Sequence, residues 1–333
     1  MLTIMLYIFT HTDLDGVGSA AVYLVLNGKK PQDPDVLVTY VEPYNIHEKL
    51  EPFIQYLEDE DKIVISDIGI NTKIYGELVK TLENAVGKVA AIEWYDHHRW
   101  DKEWVENLTE LGIKLHVDTG TCATGVVYKY APKGSDLTAE ARNMLDDLVN
   151  AVCAADLWLW NHHLAPKLFR IVTLNGSQGD ERRNLVLKKL SELNLWDEEL
   201  EELLKEYVNI ELKNYSRIDK RIVRSCRNNC CVASTIKVRG PPTNSFVGSY
   251  ILSRTNADIA CIVKENGSIS LRSKKVNVQR IAYNLGGGGH PRAAGAKVEL
   301  SFLDRLLLKV YTRGFLKRVN RKILDIALSE NVC

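Results

Sequence analysis

The alternation of apolar and polar segments in the first hundred residues predicts three buried strands separated by helices. The strands are the runs IMLYIFT (4–10), KIVISD (62–67) and VAAIEWY (89–95), each short and rich in β-branched and aromatic residues. Runs this apolar are typical of strands that are covered on both faces, as in a parallel sheet with crossover helices. The pattern therefore predicts an α/β domain at the start of the chain.

Each predicted strand ends in polar residues of the same kind. HTDLDG (11–16) follows the first strand, Asp67 ends the second, and DHH (96–98) follows the third. Ligands of open α/β sheets bind outside the carboxyl ends of the strands, so we expect these clusters to converge. A turn at the first cluster and a solvated loop at the third are the alternatives, but the coincidence of three clusters favours a metal site.

The residue types at these strand ends indicate which metal would bind. His11, Asp13 and Asp15 alternate, so a short extended segment would direct all three side chains to one side. With Asp67 and His97 they form a set of carboxylates and imidazoles without a thiolate. This set fits Mn²⁺ best and also suits Mg²⁺, Co²⁺ or Zn²⁺. It holds more carboxylates than one divalent ion needs, which predicts two ions that share an aspartate.

A fourth cluster lies on a predicted helix farther along the chain. TAEARNMLDDLVNAVCAADLW (138–158) has helical apolar spacing, Thr138 as its N-cap and Asp156 near its C-terminus. A carboxylate there opposes the helix dipole at a cost of about a few tenths of a kcal/mol, unless a cation is bound beside it. Asp156 is therefore either a metal ligand or an exposed helix-end residue.

The second half of the chain carries a run of four glycines. VNVQRIAYN (276–284) is predicted to be helical and GAKVEL (295–300) to be a strand, so Gly286–Gly289 stops the helix and forms a turn. Such glycines also let backbone N–H groups approach an anion, and His290 and Arg292 stand beside them as charged donors. No Lys-Ser or Lys-Thr follows the run, which excludes a nucleoside-triphosphate P-loop.

Composition and charge bear on the number of domains and on a possible nucleic-acid partner. The chain has 333 residues, 45% of them hydrophobic, which favours two globular domains. Lys plus Arg and Asp plus Glu both number 43, so net charge gives no sign of a nucleic-acid partner. A predicted helical stretch, 183–227, has a basic row that includes Lys213, Arg217 and Arg221. A second row follows the same spacing: Arg305, Lys309, Arg313, Lys317 and Arg321. A phosphate backbone could follow either row, and an ordinary solvated helix face is the alternative.

Cysteine usage and the N-terminus favour a cytoplasmic protein. Seven cysteines without framework spacing argue against a disulfide scaffold. Cys226, Cys230 and Cys231 have no partner at zinc spacing, so the role of this cluster stays open. The start MLTIMLYIF is too short for a membrane span and does not resemble a signal peptide. We therefore expect no membrane partner.

The polar motifs, taken in order, resemble those of a known family. HTDLDG, Asp67 in SDIG, DHH and Asp156 in AADLW are similar to the four ligand motifs of the DHH phosphoesterase superfamily. SLRSKKVNVQRIAYNLGGGGHPRAAGAKV (270–298) resembles the signature of the DHH-associated C-terminal domain of RecJ-like exonucleases, nanoRNases and cyclic-dinucleotide phosphodiesterases. HTDLDG differs from the HxxPDGD form usual in bacterial nanoRNases and looks closer to archaeal RecJ-like proteins. The resemblance covers about residues 4–300.

The resemblance implies a bilobed α/β protein, with an N-terminal doubly wound parallel sheet joined by a helical linker to a smaller mixed α/β domain. The implied division is a catalytic metal-binding domain at 1–190, a helical linker at 191–228, a substrate-binding domain at 229–300 and a C-terminal helical segment at 301–333.

The resemblance also implies a role for each site residue. One Mn²⁺ would be held by His11, Asp13 and Asp67. The other would be held by Asp15, Asp67, His97 and Asp156, with Asp67 as the bridge. His98 and His290 would be catalytic, and Asp96 would orient neighbouring groups. The implied substrate-binding residues are Arg272, Ser273, Gly287, Gly288, Gly289, His290 and Arg292.

The function implied is a Mn²⁺-dependent phosphodiesterase or exonuclease that hydrolyses single-stranded RNA or DNA. We expect short oligonucleotides to be favoured, because the extra oligonucleotide-binding domain of long RecJ proteins is not seen. A cyclic-dinucleotide or phosphoadenosine-phosphate phosphoesterase is the alternative within the enzyme class. Family II pyrophosphatases share the first domain, but the glycine-rich signature argues against them. A non-catalytic replication or repair scaffold is the alternative from another class, and a homodimer or a replication or repair partner stays open.

Overall fold

The computed structural model of the chain describes residues 4–173 and 179–333. They divide into two compact units, Met1–Leu204 and Lys205–Cys333. Each unit has its own β-sheet and its own hydrophobic cores, so each is described separately.

The sheet of the first unit has five parallel strands in the order β2–β1–β3–β4–β5. The three strands predicted from the apolar runs are confirmed as β1, β3 and β4. Two further strands, β2 and β5, have more exposed residues and lie at the sheet edges, where an apolar run is not required. The strands are β1 (Leu6–His11), β2 (Val36–Val41), β3 (Lys62–Ser66), β4 (Ala91–Asp96) and β5 (Lys114–Val117).

Helices cover both faces of this sheet, as the doubly wound prediction requires. Alternate residues of β1 point to opposite sides: Ile8 packs into one core and Phe9 into the other. The Ile8 core contains α1, α5, α6, α7 and α8, and the Phe9 core contains α2, α3 and α4. The helices are α1 (Leu14–Leu26), α2 (Ile46–Leu50), α3 (Tyr75–Val86), α4 (Lys102–Glu110), α5 (Ala123–Tyr130), α6 (Ala139–Asp156), α7 (Ala165–Val172), α8 (Gly179–Ser191) and α9 (Glu198–Asp219), with 3₁₀ turns at Glu51–Tyr56 and Thr72–Ile74.

The second unit contains a six-stranded mixed sheet in the order β10–β11–β9–β8–β7–β6. β7 and β8 are parallel, and the other neighbours are antiparallel. One face packs on α11 and α13, and the other packs on α10. The elements are β6 (Val223–Arg227), β7 (Cys230–Ile236), α10 (Asn244–Thr255), β8 (Ile259–Val263), β9 (Ser268–Ser273), α11 (Val278–Asn284), β10 (Gly288–His290), β11 (Ala293–Lys297), α12 (Phe302–Val310) and α13 (Thr312–Ser329).

The helical prediction for 183–227 is wrong at its C-terminal end. Residues 223–227 form β6, because they pair with β7 and this pairing overrides local helical preference. α9 has already ended at Asp219, so the first basic row does not continue along one helix to Arg221. The second row is likewise divided at Tyr311, between α12 and α13.

The sequence argument against a disulfide scaffold did not predict the cysteine pairs of the structure. The structure pairs Cys122 with Cys153, Cys226 with Cys231, and Cys230 with Cys333, and Cys261 is a buried free thiol. Two of these pairs join cysteines 31 and 103 residues apart, so sequence spacing carries little signal for them.

Within 4–173 and 179–333, every helix is too short or too polar to cross a bilayer.

Candidate metal centre

The loop after β1 places the first two ligand candidates. His11 is the last residue of β1, and Asp13 is the N-cap of α1. Asp13 Oδ1 accepts hydrogen bonds from the backbone N–H groups of Asp15 and Gly16, both at 3.1 Å. Its other oxygen lies 3.0 Å from His11 Nδ1. The carboxylate therefore caps the helix with one oxygen and faces the histidine with the other. A role as helix cap and a role as metal ligand are compatible.

The prediction that residues 11–15 form one extended segment is wrong. The Asp13 cap begins α1 at Leu14, and Asp15 is already helical. The turn is tight, because a Cβ on Gly16 would lie only 2.2 Å from the carbonyl oxygen of His11. Glycine at this position lets the helix start directly against the end of the strand. The side chains of Asp13 and Asp15 thus come from a helix start.

Asp15 is buried and is held by the N-terminus of α5. Its Oδ2 accepts from Ala123 N at 2.7 Å, and its Oδ1 accepts from Thr124 N at 2.8 Å and Thr124 Oγ1 at 2.7 Å. Backbone N–H groups and the dipole at a helix N-terminus both favour an anion. These donors fix the carboxylate in place and oppose the burial that raises the pKa of Asp15.

Asp67 lies directly after β3 and between the two histidines. Its backbone adopts φ 57°, a left-handed conformation that aspartate tolerates better than most residues, and its N–H donates to Tyr95 O at 2.9 Å. Oδ2 lies 3.3 Å from His11 Nδ1, and Oδ1 lies 3.6 Å from His97 Nε2. One buried carboxylate therefore faces both imidazoles.

His97 brings the remaining carboxylates into the same cluster. Its Nε2 lies 3.8 Å from Asp15 Oδ2, 3.6 Å from Asp67 Oδ1 and 3.7 Å from Asp156 Oδ2. Asp156 is the last residue of α6, as predicted, and the Thr138 side chain caps the other end of that helix. These separations are too long for hydrogen bonds, so one nitrogen faces three oxygens without bonding to any of them.

Ligand atoms within 4.8 Å of one another form three overlapping groups among the described residues. Asp67 belongs to two of the groups and His97 to two. The groups are His11–Asp13–Asp67, Asp15–His97–Asp156 and Asp67–His97–His98. The structure thus brings together all six predicted metal ligands.

The electrostatics of this cluster fit bound cations. Burial, with the nearby charges of Asp13 and Asp15, raises the pKa of Asp67 well above its ordinary value. Burial, with the charges of Asp15 and Asp13, raises the pKa of Asp156 to about 9. Asp67 Oδ2 is buried and receives no well-aligned hydrogen bond from the described residues. Crowded carboxylates with an unsatisfied oxygen are a costly arrangement that a divalent cation would relieve.

His98 is oriented by Asp96. The fully buried Asp96 carboxylate lies 2.9 Å from His98 Nδ1 and also accepts from His98 N at 3.2 Å and Trp100 Nε1 at 2.7 Å. Burial alone would lower the pKa of His98, but the hydrogen bond and charge of Asp96 outweigh it, so the pKa is raised. Asp96 is absent from the three ligand groups, in keeping with an orienting role. With Nδ1 engaged, Nε2 is the ring nitrogen left to contact another group.

Two supporting residues were not predicted from the sequence. Glu42 follows β2; its Oε2 lies 3.3 Å from His11 Nε2, and its Oε1 accepts from Thr12 Oγ1 at 2.6 Å. Arg183 Nε donates to the carbonyl of Thr12 at 2.6 Å. Glu42 could have been found from the sequence, because it is a polar residue directly after an apolar strand, as in the other clusters. The sequence around Arg183 has no comparable feature.

In the second unit, the predicted substrate contacts lie along β9, β10 and β11. Arg272 is in register with Ala293, which is in register with His290, so all three point to the same face of the sheet. Arg272 donates to Ser245 Oγ at 3.1 Å, and burial lowers its pKa. Ser273 is buried and its hydroxyl donates to the carbonyl of Val276. Any substrate contact by that hydroxyl would have to replace this bond.

The glycine run is both a turn and the start of a strand. Gly286 has φ 69°, and β10 begins at Gly288. A Cβ on Gly287 would lie 2.1 Å from the carbonyl oxygen of Gly295. The N–H of Gly287 donates to Ala282 O at 2.8 Å, so this N–H is already used within the fold. The exposed His290 lies at the end of β10.

We expect divalent cations to stabilise the protein through Asp67. Saturating Mn²⁺ should raise the melting temperature, since a ligand at 100 times its Kd adds about 2.7 kcal/mol. Asp67→Asn should lose most of this shift while its metal-free melting temperature equals or exceeds that of the wild type, because one repelling carboxylate is removed. Asp136→Asn, at an exposed aspartate, is the control. An unchanged Mn²⁺ shift in Asp67→Asn would contradict the assignment.

We expect Thr124 to contribute to metal affinity without touching the metal. Thr124→Val keeps the β-branched shape but removes a hydroxyl that donates to Asp15, and loss of such a support typically weakens metal binding about 10- to 100-fold. Calorimetric titration with Mn²⁺ measures the change. Thr109→Val, which removes an exposed hydroxyl on α4, should bind Mn²⁺ as the wild type does. Equal affinity in the two variants would show that the Asp15 anchor is dispensable.

Comparison with known proteins assigns the chain to a family. The model of the DHH family, N-terminal domain, matches residues 5–155, and the DHHA1 domain model matches residues 230–313. Oligoribonuclease NrnB of Bacillus subtilis is 26% identical over 308 residues, which cover 88% of this chain and 73% of that protein.

Solved structures show the same fold. RecJ bound to manganese has a TM-score of 0.59 at 16% identity, over 97% of this chain and 90% of that chain. The pGpG-specific phosphodiesterase PggH from Vibrio cholerae has a TM-score of 0.53 at 12% identity, over 93% and 98%. At these identities the likeness concerns the fold, and the archaeal character of HTDLDG stays a prediction. The two family models, in the order that the motifs predicted, show that the chain belongs to the DHH superfamily of phosphoesterases, hydrolases that act on phosphodiester bonds.

Proposed function

We propose that this hydrolase is a Mn²⁺-dependent phosphodiesterase that trims short single-stranded RNA or DNA oligonucleotides from an end. The observation that carries the proposal is the cluster of four aspartates and two histidines around Asp67. The name of the NrnB relative, an oligoribonuclease, supports the substrate class. A non-catalytic scaffold is disfavoured, because such a protein has no need to retain every ligand.

The ligand groups suggest how two ions would be held. We assign His11, Asp13 and Asp67 to one ion, and Asp15, Asp67, His97 and Asp156 to the other, with Asp67 shared. Bound ions would supply a nucleophile at neutral pH and positive charge for the phosphate oxygens. The RecJ structure described above was solved with manganese, which supports that metal over others.

The other site residues would act on the substrate itself. We assign His98 to the scissile phosphate through Nε2, because Asp96 engages Nδ1 and favours the protonated ring. In the second unit we assign the exposed His290 and Arg292 to phosphate contacts, and Arg272 to phosphate or base. Charge-assisted hydrogen bonds of this kind are about twice as strong as neutral ones.

We expect hydrolysis to require the metal cluster. RNA and DNA oligonucleotides labelled at the 5′ or 3′ end, together with pGpG and phosphoadenosine phosphate, should be tested with Mn²⁺, with EDTA and with Asp67→Asn. Short oligonucleotides should be shortened from one end, EDTA should stop cleavage reversibly, and the variant should be inactive. Turnover that persists in EDTA would contradict the proposal, and cleavage of phosphoadenosine phosphate alone would replace it with the alternative.

We expect His290 to affect catalysis and not metal binding. His290→Ala should retain the Mn²⁺-induced shift in melting temperature but lose roughly 10²- to 10³-fold in kcat, as is typical when a preorganised donor is removed. The two measurements separate the roles. A variant that loses the Mn²⁺ shift, or one with a normal kcat, would count against this assignment.

We expect affinity to stop rising at short substrate length, although one basic cavity offers an alternative. A cavity of about 1040 Å³ in the second unit brings members of both basic rows together. Its charged lining residues are Arg221, Lys297, Arg305 and Lys309, with Glu265 and Glu299. KM should level off within the first few nucleotides and be unchanged in an Arg221→Glu, Arg305→Glu double variant. If the cavity instead guides longer strands, KM should keep falling beyond about ten nucleotides with a steepening salt dependence that the double variant abolishes.

A further inference from the structure

The segment that follows Asp156 exposes large apolar side chains beside the metal centre. Leu157 and Trp158 are each 40% exposed, and Leu159 is 60% exposed. Isolated exposed apolar residues are common, but three in succession directly after a proposed ligand form a local apolar surface. Neither the fold nor the metal cluster requires it.

The backbone of this segment is strained. Trp158 has φ 61° and Trp160 has φ 55°, in the left-handed region where glycine usually ends a helix. Hydrogen bonds impose this geometry: Trp158 N donates to Ala155 O at 3.2 Å, and Leu159 N and Trp160 N both donate to Ala154 O at 2.9 Å. Large side chains held where glycine would be easier are found preferentially at functional sites.

Neighbouring aromatic rings fix the orientation of Trp158. Its ring packs edge-to-face on Trp160, with centroids 4.7 Å apart, and on Phe169 of α7, with centroids 6.3 Å apart. Trp160 and Phe169 also pack edge-to-face at 5.5 Å. Trp158 is therefore a positioned ring and not a freely rotating one, while part of it faces solvent.

The Trp158 backbone lies close to one of the candidate metal ligands. Trp158 is two residues after Asp156, so their Cα atoms are at most about 7.6 Å apart. Asp156 Oδ2 belongs to the Asp15–His97–Asp156 group. A nucleotide whose phosphate lies at this group would carry its base into the same neighbourhood.

We propose that Trp158, flanked by Leu157 and Leu159, is a stacking platform for the nucleobase next to the scissile phosphate. The proposal rests on the oligonucleotide function proposed above and deepens it. Aromatic side chains stack on any base, because every base has a π-face, so this platform would bind single strands without reading their sequence. It would select nucleotides with an unpaired base over other phosphodiesters.

The test compares intact and abasic substrates. For a single-stranded RNA pentanucleotide, Trp158→Ala and Trp158→Leu should raise KM about 5- to 100-fold with little change in kcat, the range expected from losing one stacked base. Trp158→Phe should stay near the wild type. Wild-type KM should rise similarly when the residue next to the scissile phosphate is abasic, and Trp158→Ala should then add nothing. Trp104→Ala, at a half-buried ring on α4, is the control.

Two independent measurements keep the outcomes distinct. The Mn²⁺-induced shift in melting temperature should be unchanged in the Trp158 variants, and equilibrium binding of the labelled pentanucleotide should weaken in parallel with KM. Unchanged KM in Trp158→Ala, or equal loss on intact and abasic substrates, would overturn the platform alone. Weakened binding without any hydrolysis by the wild type would support the platform and overturn the proposed function. A wild type that neither binds nor cleaves the pentanucleotide would overturn both.

Discussion

The repulsion among four crowded aspartates is the constraint around which the first unit is organised. Asp15 and Asp67 are buried and Asp13 and Asp156 are half-buried, and burial together with the neighbouring negative charges raises the pKa of Asp67 and Asp156. Such a cluster is unfavourable in a folded protein unless helix dipoles, hydrogen bonds or cations oppose the repulsion. The parallel topology supplies part of this opposition, because it places helix N-termini at the same edge of the sheet as the strand ends.

The two most constrained aspartates are stabilised in different ways. Asp15 is held by two backbone N–H groups and the Thr124 hydroxyl at the start of α5. Asp67 has no comparable set of donors, takes a left-handed backbone and keeps one oxygen unsatisfied. Of these two, the aspartate shared by the ligand groups is thus the one whose charge the protein compensates less. A bridging position between cations is the place where that charge is most useful.

Much of the fold and the site could be predicted because both follow the local pattern. β1, β3 and β4 are apolar runs and α6 has a helical hydrophobic period, and the candidate ligands stand at their ends. The supports of the site could not be predicted, because they depend on tertiary packing. Thr124 comes from a helix start more than a hundred residues after Asp15, and nothing in its own segment marks it. β6 and the disulfides were not predicted for the same reason, because they form only when separate parts of the chain pair in the fold.

The charge balance of the cluster is the electrostatic argument for the two ions proposed above. Four ionised aspartates carry four negative charges, and the two histidine ligands are neutral when they bind metal. A single divalent cation would leave the site negative, and it would repel a phosphodiester anion at short range. Two divalent cations would balance these four charges, while Glu42 beside His11 and the His98–Asp96 pair lie outside that count. On the proposed arrangement, the second ion would remove the negative charge that otherwise repels a phosphodiester, so the number of aspartates and the anionic substrate would answer to one electrostatic requirement.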